Sequence, residues 1–209
     1  MKSAALGFRV HSGWTAVIAL ALTKGSPAVL ARERVHLVDT FTYKFRQPYH
    51  TAAKMPLEEA RIFVDRMRAE ARRLASGAIR RLQAGVEARG FELIHSGLLL
   101  ASGRPLPALP QILTVHSLIH SADGELFREA LLHASARCGL DALTIKEKEV
   151  ADEASRVLRL KPDDLTRRIA ELGRPLGPPW SQDEKLASLV AWLALASKSS
   201  PRRRTRTVA

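Results

Sequence analysis

Two apolar runs, Ala4 to Val10 and Trp14 to Leu22, are separated only by His11-Ser12-Gly13. Each is far shorter than the ~20 apolar residues a membrane-spanning helix needs. A three-residue gap closed by glycine joins such runs most simply as an antiparallel hairpin. Lys24-Gly25-Ser26-Pro27 supplies a second turn, after which Val29, Ala31, Val35 and Leu37 alternate with Arg32, Arg34 and His36. Period two across short glycine turns predicts a three-stranded antiparallel meander. The first two strands are apolar on both sides and must be buried on both faces. The remainder of the chain therefore has to supply covering layers above and below them.

Helical spacing follows. Pro56 opens a segment in which Leu57, Ala60, Val64, Met67, Ala71, Leu74, Ala78 and Leu82 mark one apolar face. Glu58 and Glu59 sit at its positive end, and Gly77 and Gly85 are positions for a kink or an early stop. Phe91 to Leu100 reads as a fourth strand. Gln111 to Cys138 reads as a helix with Asp123-Gly124 as its weak point, and Leu140 to Glu147 as a short strand. Helical pieces are expected over Ala151 to Leu160 and Asp163 to Leu172. Ser181, with Glu184 three residues later, predicts a capping box opening a last helix from Gln182 to Ala196.

Of the 209 residues, 46% are hydrophobic and 26% charged, the composition of a globular chain. Lys and Arg outnumber Asp and Glu by 33 to 21, giving a net charge of +12. That surplus makes nucleic acid or another polyanion the first partner to expect. Lys198, Arg202, Arg203, Arg204 and Arg206 account for five of these charges, leaving +7 on the rest. Residues 1–197 read as a single domain and 198–209 as a basic, disordered tail. The one cysteine, Cys138, forms no internal disulfide, and no leader or membrane span is expected. A cytoplasmic protein is the corresponding expectation.

The order strand-strand-strand, helix, strand, helix, strand, helix resembles the ribonuclease H-like α/β fold, with helices on both faces of the sheet. Within it, the chain looks most like the Holliday-junction-resolvase branch and its pre-ribosomal-RNA-processing relatives. Gly7-Phe8-Arg9-Val10-His11-Ser12-Gly13-Trp14 is similar to the first hairpin of that branch, and Asp183-Glu184-Lys185-Leu186-Ala187-Ser188-Leu189 to its last helix. The resemblance implies nucleases in which carboxylates from the first strand, the fourth strand and the last helix hold two divalent metals. Here Arg9 stands at the first-strand position. The fourth strand has Glu92 at its wrong end, and Asp183 or Glu184 alone matches the last helix. An arginine in place of an acid inverts the charge, so a catalytically degenerate domain is expected. The sugar-kinase and actin fold also begins with a meander, but its phosphate loop needs an acid and glycines absent here.

His116 and His120, at i and i+4, share a helix face beside the apolar stripe of Ile112, Leu113 and Phe127. Asp123 and Glu125 follow, and His50 or Tyr49 can approach from the earlier connection. The pair reads as a metal site, a proton-transfer site or packing histidines. Ser117 occupies the place where a zinc protease has its glutamate, and no metal is assigned. Asp183, Glu184, His116 and His120 are the catalytic candidates. Ser26, Ser96 and Ser102 lack a base at a readable spacing. Phe41, Tyr43 and Phe45, interleaved with Lys44 and Arg46, suit base stacking with phosphate neutralisation. Their ordinary alternative is a strand extension with the rings turned inward. On the long helix, Arg66, Arg72, Arg73, Arg80 and Arg81 suit a phosphate backbone, or a solvated face paired with Glu70 or Glu87.

The expected nucleic-acid contacts are thus Arg9, Lys44, Arg46, Arg72, Arg73, Arg80, Arg81, Arg202, Arg203 and Arg204. No cofactor is expected. The leading reading is a degenerate domain that binds nucleic acid. One rival is a metal-dependent nuclease with unrecognised ligands, which would need Mg2+. The other is a structural or protein-interaction domain with a nonspecific basic tail.

Overall fold

The structure is a computed structural model that describes residues 1–101 and 105–197. Ser102 and the proposed tail, with Arg202, Arg203 and Arg204, lie outside the described residues. The meander forms as β1 (Lys2–His11), β2 (Trp14–Thr23) and β3 (Ser26–His36). Next come α1 (Tyr43–Arg46), α2 (Pro48–Ala52), α3 (Leu57–Glu87), β4 (Phe91–Leu100), α4 (Leu109–Thr114), α5 (His116–Arg137) and β5 (Asp141–Lys146). α6 (Val150–Leu158), α7 (Pro162–Leu172) and α8 (Gln182–Ala196) follow. Among the described residues the sheet order is β3-β2-β1-β4-β5, with β1, β4 and β5 parallel to one another.

Alternation along β1 divides the core. Leu6, Phe8 and Val10 face the layer of α3 and α5, together with Val64, Met67, Ile79 and Phe127. The second core lies on the other face, where Ile18, Leu20 and Leu99 meet α6, α7 and α8. By period two, Gly7, Arg9 and His11 fall on the α8 side of β1. Gly7 is paired in register with Gly97 of β4. A Cβ on Gly7 would stand 1.9 Å from the Ala187 carbonyl oxygen, and one on Gly97 2.5 Å from that of Val190. The two glycines therefore let the α8 backbone lie directly on the sheet, with its amino end beside the carboxyl ends of the parallel strands. Ligands of open α/β sheets bind at that edge.

Three local expectations change. α3 runs unbroken through Gly77 and Gly85, because its buried face continues through Ala75, Ala78, Ile79 and Leu82. The predicted long helix breaks at Val115, between α4 and α5, and not at Asp123-Gly124. Asp123 is buried inside α5 with its carboxylate accepting bonds from α2, so it does not end the helix. The Phe41-to-Phe45 segment is no strand extension. The Thr42 carbonyl accepts from the backbone N–H of Phe45 and of Arg46, and Pro48 opens α2, so the segment winds into two short helices.

Candidate functional site

The predicted capping box is present at α8. Asp183 N–H donates to Ser181 Oγ at 3.2 Å, and Ser181 N–H donates to Glu184 Oε2 at 2.8 Å. Glu184 is thereby engaged in the cap, and Asp183 is the acid turned to the strand ends. Its Oδ1 lies 2.9 Å from His11 Nε2 and 3.9 Å from Arg9 Nε. Arg9 Nη2 lies 3.1 Å from a Glu147 oxygen, just past the end of β5. Behind this group, Arg128 of α5 donates from Nε to the Leu99 carbonyl at 3.3 Å and pairs with Glu125 at 3.6 Å. Burial pulls the Arg128 guanidinium below its ordinary value; Glu125 opposes this and the nearby charge of Arg9 adds to it. The cleft thus holds two guanidinium groups among three carboxylates. Sequence reading missed Glu147 and Arg128 and set Glu125 beside the histidine pair, because the sheet edge and α5 bring these residues in from distant segments.

A stacked ladder runs outward from the cleft. His11 stacks on Trp14 with ring centroids 4.3 Å apart, and the Arg34 guanidinium lies 3.8 Å over the Trp14 ring. Phe41 stacks on His36 at 4.5 Å and carries Arg46 at 4.5 Å. Sheet register builds it, since Trp14 pairs with His36 and Arg34 lies two residues away on the same face. Gly13, at φ +81°, leaves room for Arg46: a Cβ there would meet its Cγ at 2.8 Å. Of the expected aromatic group, Phe41 joins the ladder. Phe45 packs against the core, and Tyr43 is 58% exposed. Lys44 places its ammonium 5.5 Å from the Phe45 ring.

The arginines of α3 are partly committed elsewhere. Arg72 Nε bonds Glu129 of α5 at 3.0 Å, and Arg73 bonds Asp39 at 2.8 Å. The expected partners were Glu70 and Glu87; Glu70 instead accepts the Asp39 N–H at 2.7 Å. Arg80 and Arg81 are exposed.

His116 and His120 are brought together, Nε2 to Nε2 at 3.0 Å, and His50 joins them from α2. Both α5 histidines are exposed and do not lie on the apolar stripe, because the break at Val115 puts Leu113 in a different helix. Tyr49 contributes its backbone N–H to Asp123 at 2.7 Å, and His50 Nδ1 bonds the other oxygen of that carboxylate. Burial raises the Asp123 carboxyl above its ordinary value, while the bonds from His50 and Tyr49 oppose the rise. Burial likewise raises the Tyr49 phenol, against the charge of Arg68. Among the described residues this is the group with metal-ligand spacing; the acids around Arg9 form none.

RuvC from Thermus thermophilus, solved in complex with a Holliday junction substrate, aligns over 91% of this chain and 91% of its own. The TM-score is 0.52 and the identity 11%. The chain has the ribonuclease H-like fold. A second Thermus thermophilus RuvC structure covers 91% of this chain and 92% of its own, with a TM-score of 0.47 and 12% identity. No family model and no curated protein matches the sequence. The ribonuclease H-like framework accounts for where the cleft lies: β1 and β4 run side by side under α8, and Arg9 and Asp183 meet at their edge. No helix among the described residues is long and apolar enough to cross a membrane.

Proposed function

We propose that this protein is a ribonuclease H-like nucleic-acid-binding module, working in the reducing cytoplasm, whose cleft no longer hydrolyses phosphodiesters. The observation that carries the reading is the Trp14–Arg34 stack beside a cleft filled by Arg9. Guanidinium groups held on aromatic rings are fixed cations, and such cations neutralise phosphates. The first-strand position that the resemblance assigns to a metal-binding acid is a cation engaged with Glu147 and Asp183. Two-metal phosphoryl transfer needs anionic oxygen ligands there. RuvC's junction-bound structure supports nucleic acid as the ligand class by likeness of fold.

The test is fluorescence anisotropy with single-stranded, duplex and four-way-junction DNA and with RNA, across salt concentrations. The full chain is compared with Trp14→Ala, Arg34→Ala and an Arg202/Arg203/Arg204→Ser variant. The reading expects binding to survive the triple tail substitution and to fall with the ladder substitutions, and no strand to be cut in Mg2+ or Mn2+. Loss of all binding with the tail substitutions alone supports the protein-interaction reading. Cleavage supports the nuclease.

A further inference from the structure

The histidine cluster has features that helix packing does not require. His116 and His120 lie on the exposed side of α5, one turn apart. His50 reaches them from α2, its ring centroid 4.4 Å from His120 and 5.6 Å from His116. One ligand-type nitrogen of each ring lies within 4.8 Å of the others. Zn–N bonds of about 2.0–2.1 Å place neighbouring tetrahedral ligands about 3.3 Å apart. The two α5 nitrogens, at 3.0 Å, are already close to that spacing.

His50 is also held as a metal-ligating histidine is held. Its Nδ1 bonds Asp123, a side chain 3% exposed whose carboxylate is fixed further by the Tyr49 N–H. A ligating histidine gives its second ring N–H to a carboxylate in this way, which sets the tautomer and raises the basicity of the free nitrogen. With Nδ1 committed, Nε2 is the free nitrogen of His50. His116, His120 and Asp123 recur at i, i+4 and i+7, so one helix carries two ligands and the group that orients the third.

We propose that His50, His116 and His120 form a three-imidazole site for a divalent ion of the zinc class, with Asp123 as the positioning residue. Imidazole nitrogens suit Zn2+, Co2+ or Ni2+, whereas Mg2+ and Ca2+ take oxygen ligands. Three protein ligands leave a fourth position, which the exposed side of His116 and His120 opens to water or to an anion. The site is distinct from the Arg9 cleft. Arg128 follows His120 by eight residues of α5, about 12 Å along the axis. Nucleic-acid binding can therefore fail without affecting it, and the reverse.

The experiment uses the untagged full chain, stripped with a chelator. Zn2+ is titrated by calorimetry and Co2+ by visible absorption, with circular dichroism as the check on folding. One equivalent is expected to bind, with the intense visible bands of four-coordinate cobalt. His116→Gln and His120→Gln, both at exposed positions, each lower affinity about a hundredfold or more. Asp123→Asn lowers it about 10- to 100-fold, and substitution of the exposed α5 histidine outside the cluster, His133→Gln, leaves it unchanged. No stoichiometric binding by the unsubstituted chain overturns the site. So does binding that His116→Gln and His120→Gln leave intact. Unchanged affinity in a folded Asp123→Asn protein overturns the role of that carboxylate.

Discussion

Arg9 and Glu147 face each other at 3.1 Å across the sheet edge, joining the first strand to the segment that follows the last. Arg9 Nε also lies 3.9 Å from Asp183, so replacing it removes the guanidinium that both acids share. Arg9→Gln is expected to cost about 1 kcal/mol, in the range of partly exposed pairs. The deficit shrinks as salt screens the lost pairs. Urea unfolding at low and high salt measures it, and a deficit that grows with salt contradicts the assignment.

Glycine-to-alanine exchanges have opposite signs at two positions. At Gly7 the new methyl meets the Ala187 carbonyl of α8 at 1.9 Å. A backbone clash of this kind costs about 3 kcal/mol or more. Gly85 lies in α3 with nothing within 4 Å of its Cβ, so Gly85→Ala gains about 0.5–1 kcal/mol. Denaturant midpoints of the two variants, measured side by side, check both signs.

Trp14→Ala removes the surface on which Arg34 and His11 both rest. With its support gone the Arg34 guanidinium is no longer held in place, so Trp14→Ala is expected to weaken single-strand binding in the same direction as Arg34→Ala. Arg34→Ala lowers the slope of log affinity against log salt by about one phosphate contact. Anisotropy titrations at several salt concentrations read both values.

Cys138 is a buried-edge thiol, and burial raises it above its ordinary value despite the opposing charges of Arg80 and Arg137. Burial thus outweighs the neighbouring Arg137, and Cys138 is a small apolar filler and not an activated thiolate. The folded chain holds this proton more tightly than the unfolded chain. Its contribution is complete below the ordinary thiol value of about 8.5 and is lost as pH rises through the raised one. Thiol-reagent kinetics at pH 8 are expected to be slower for the folded than for the unfolded protein. Cys138→Ala flattens the alkaline fall in stability.

The meander, the α8 capping box and the order of elements were legible because each rests on local rules: period two, glycine turns, and a serine three residues before a glutamate. The resolvase-like fold followed from that order. The Arg9 cleft was half legible. Asp183 was identified, but Glu147 and Arg128 reach Arg9 only through the register of β5 and the packing of α5. The ladder was hidden because Trp14 and Phe41 come together through β2–β3 pairing and the turn into α1. His50 was an open possibility. Its bond to Asp123 spans 73 positions, and the local signal for it was an acid seven residues after His116 on one helix face.

Gly7 and Gly97 seat α8 on the sheet chiefly through its main-chain atoms at Ala187 and Val190. A seat made this way is indifferent to almost every exchange of side chains around it, and rejects change only at the two glycines. The residues at the strand ends, Arg9 among them, can thus change without moving the helix that faces them.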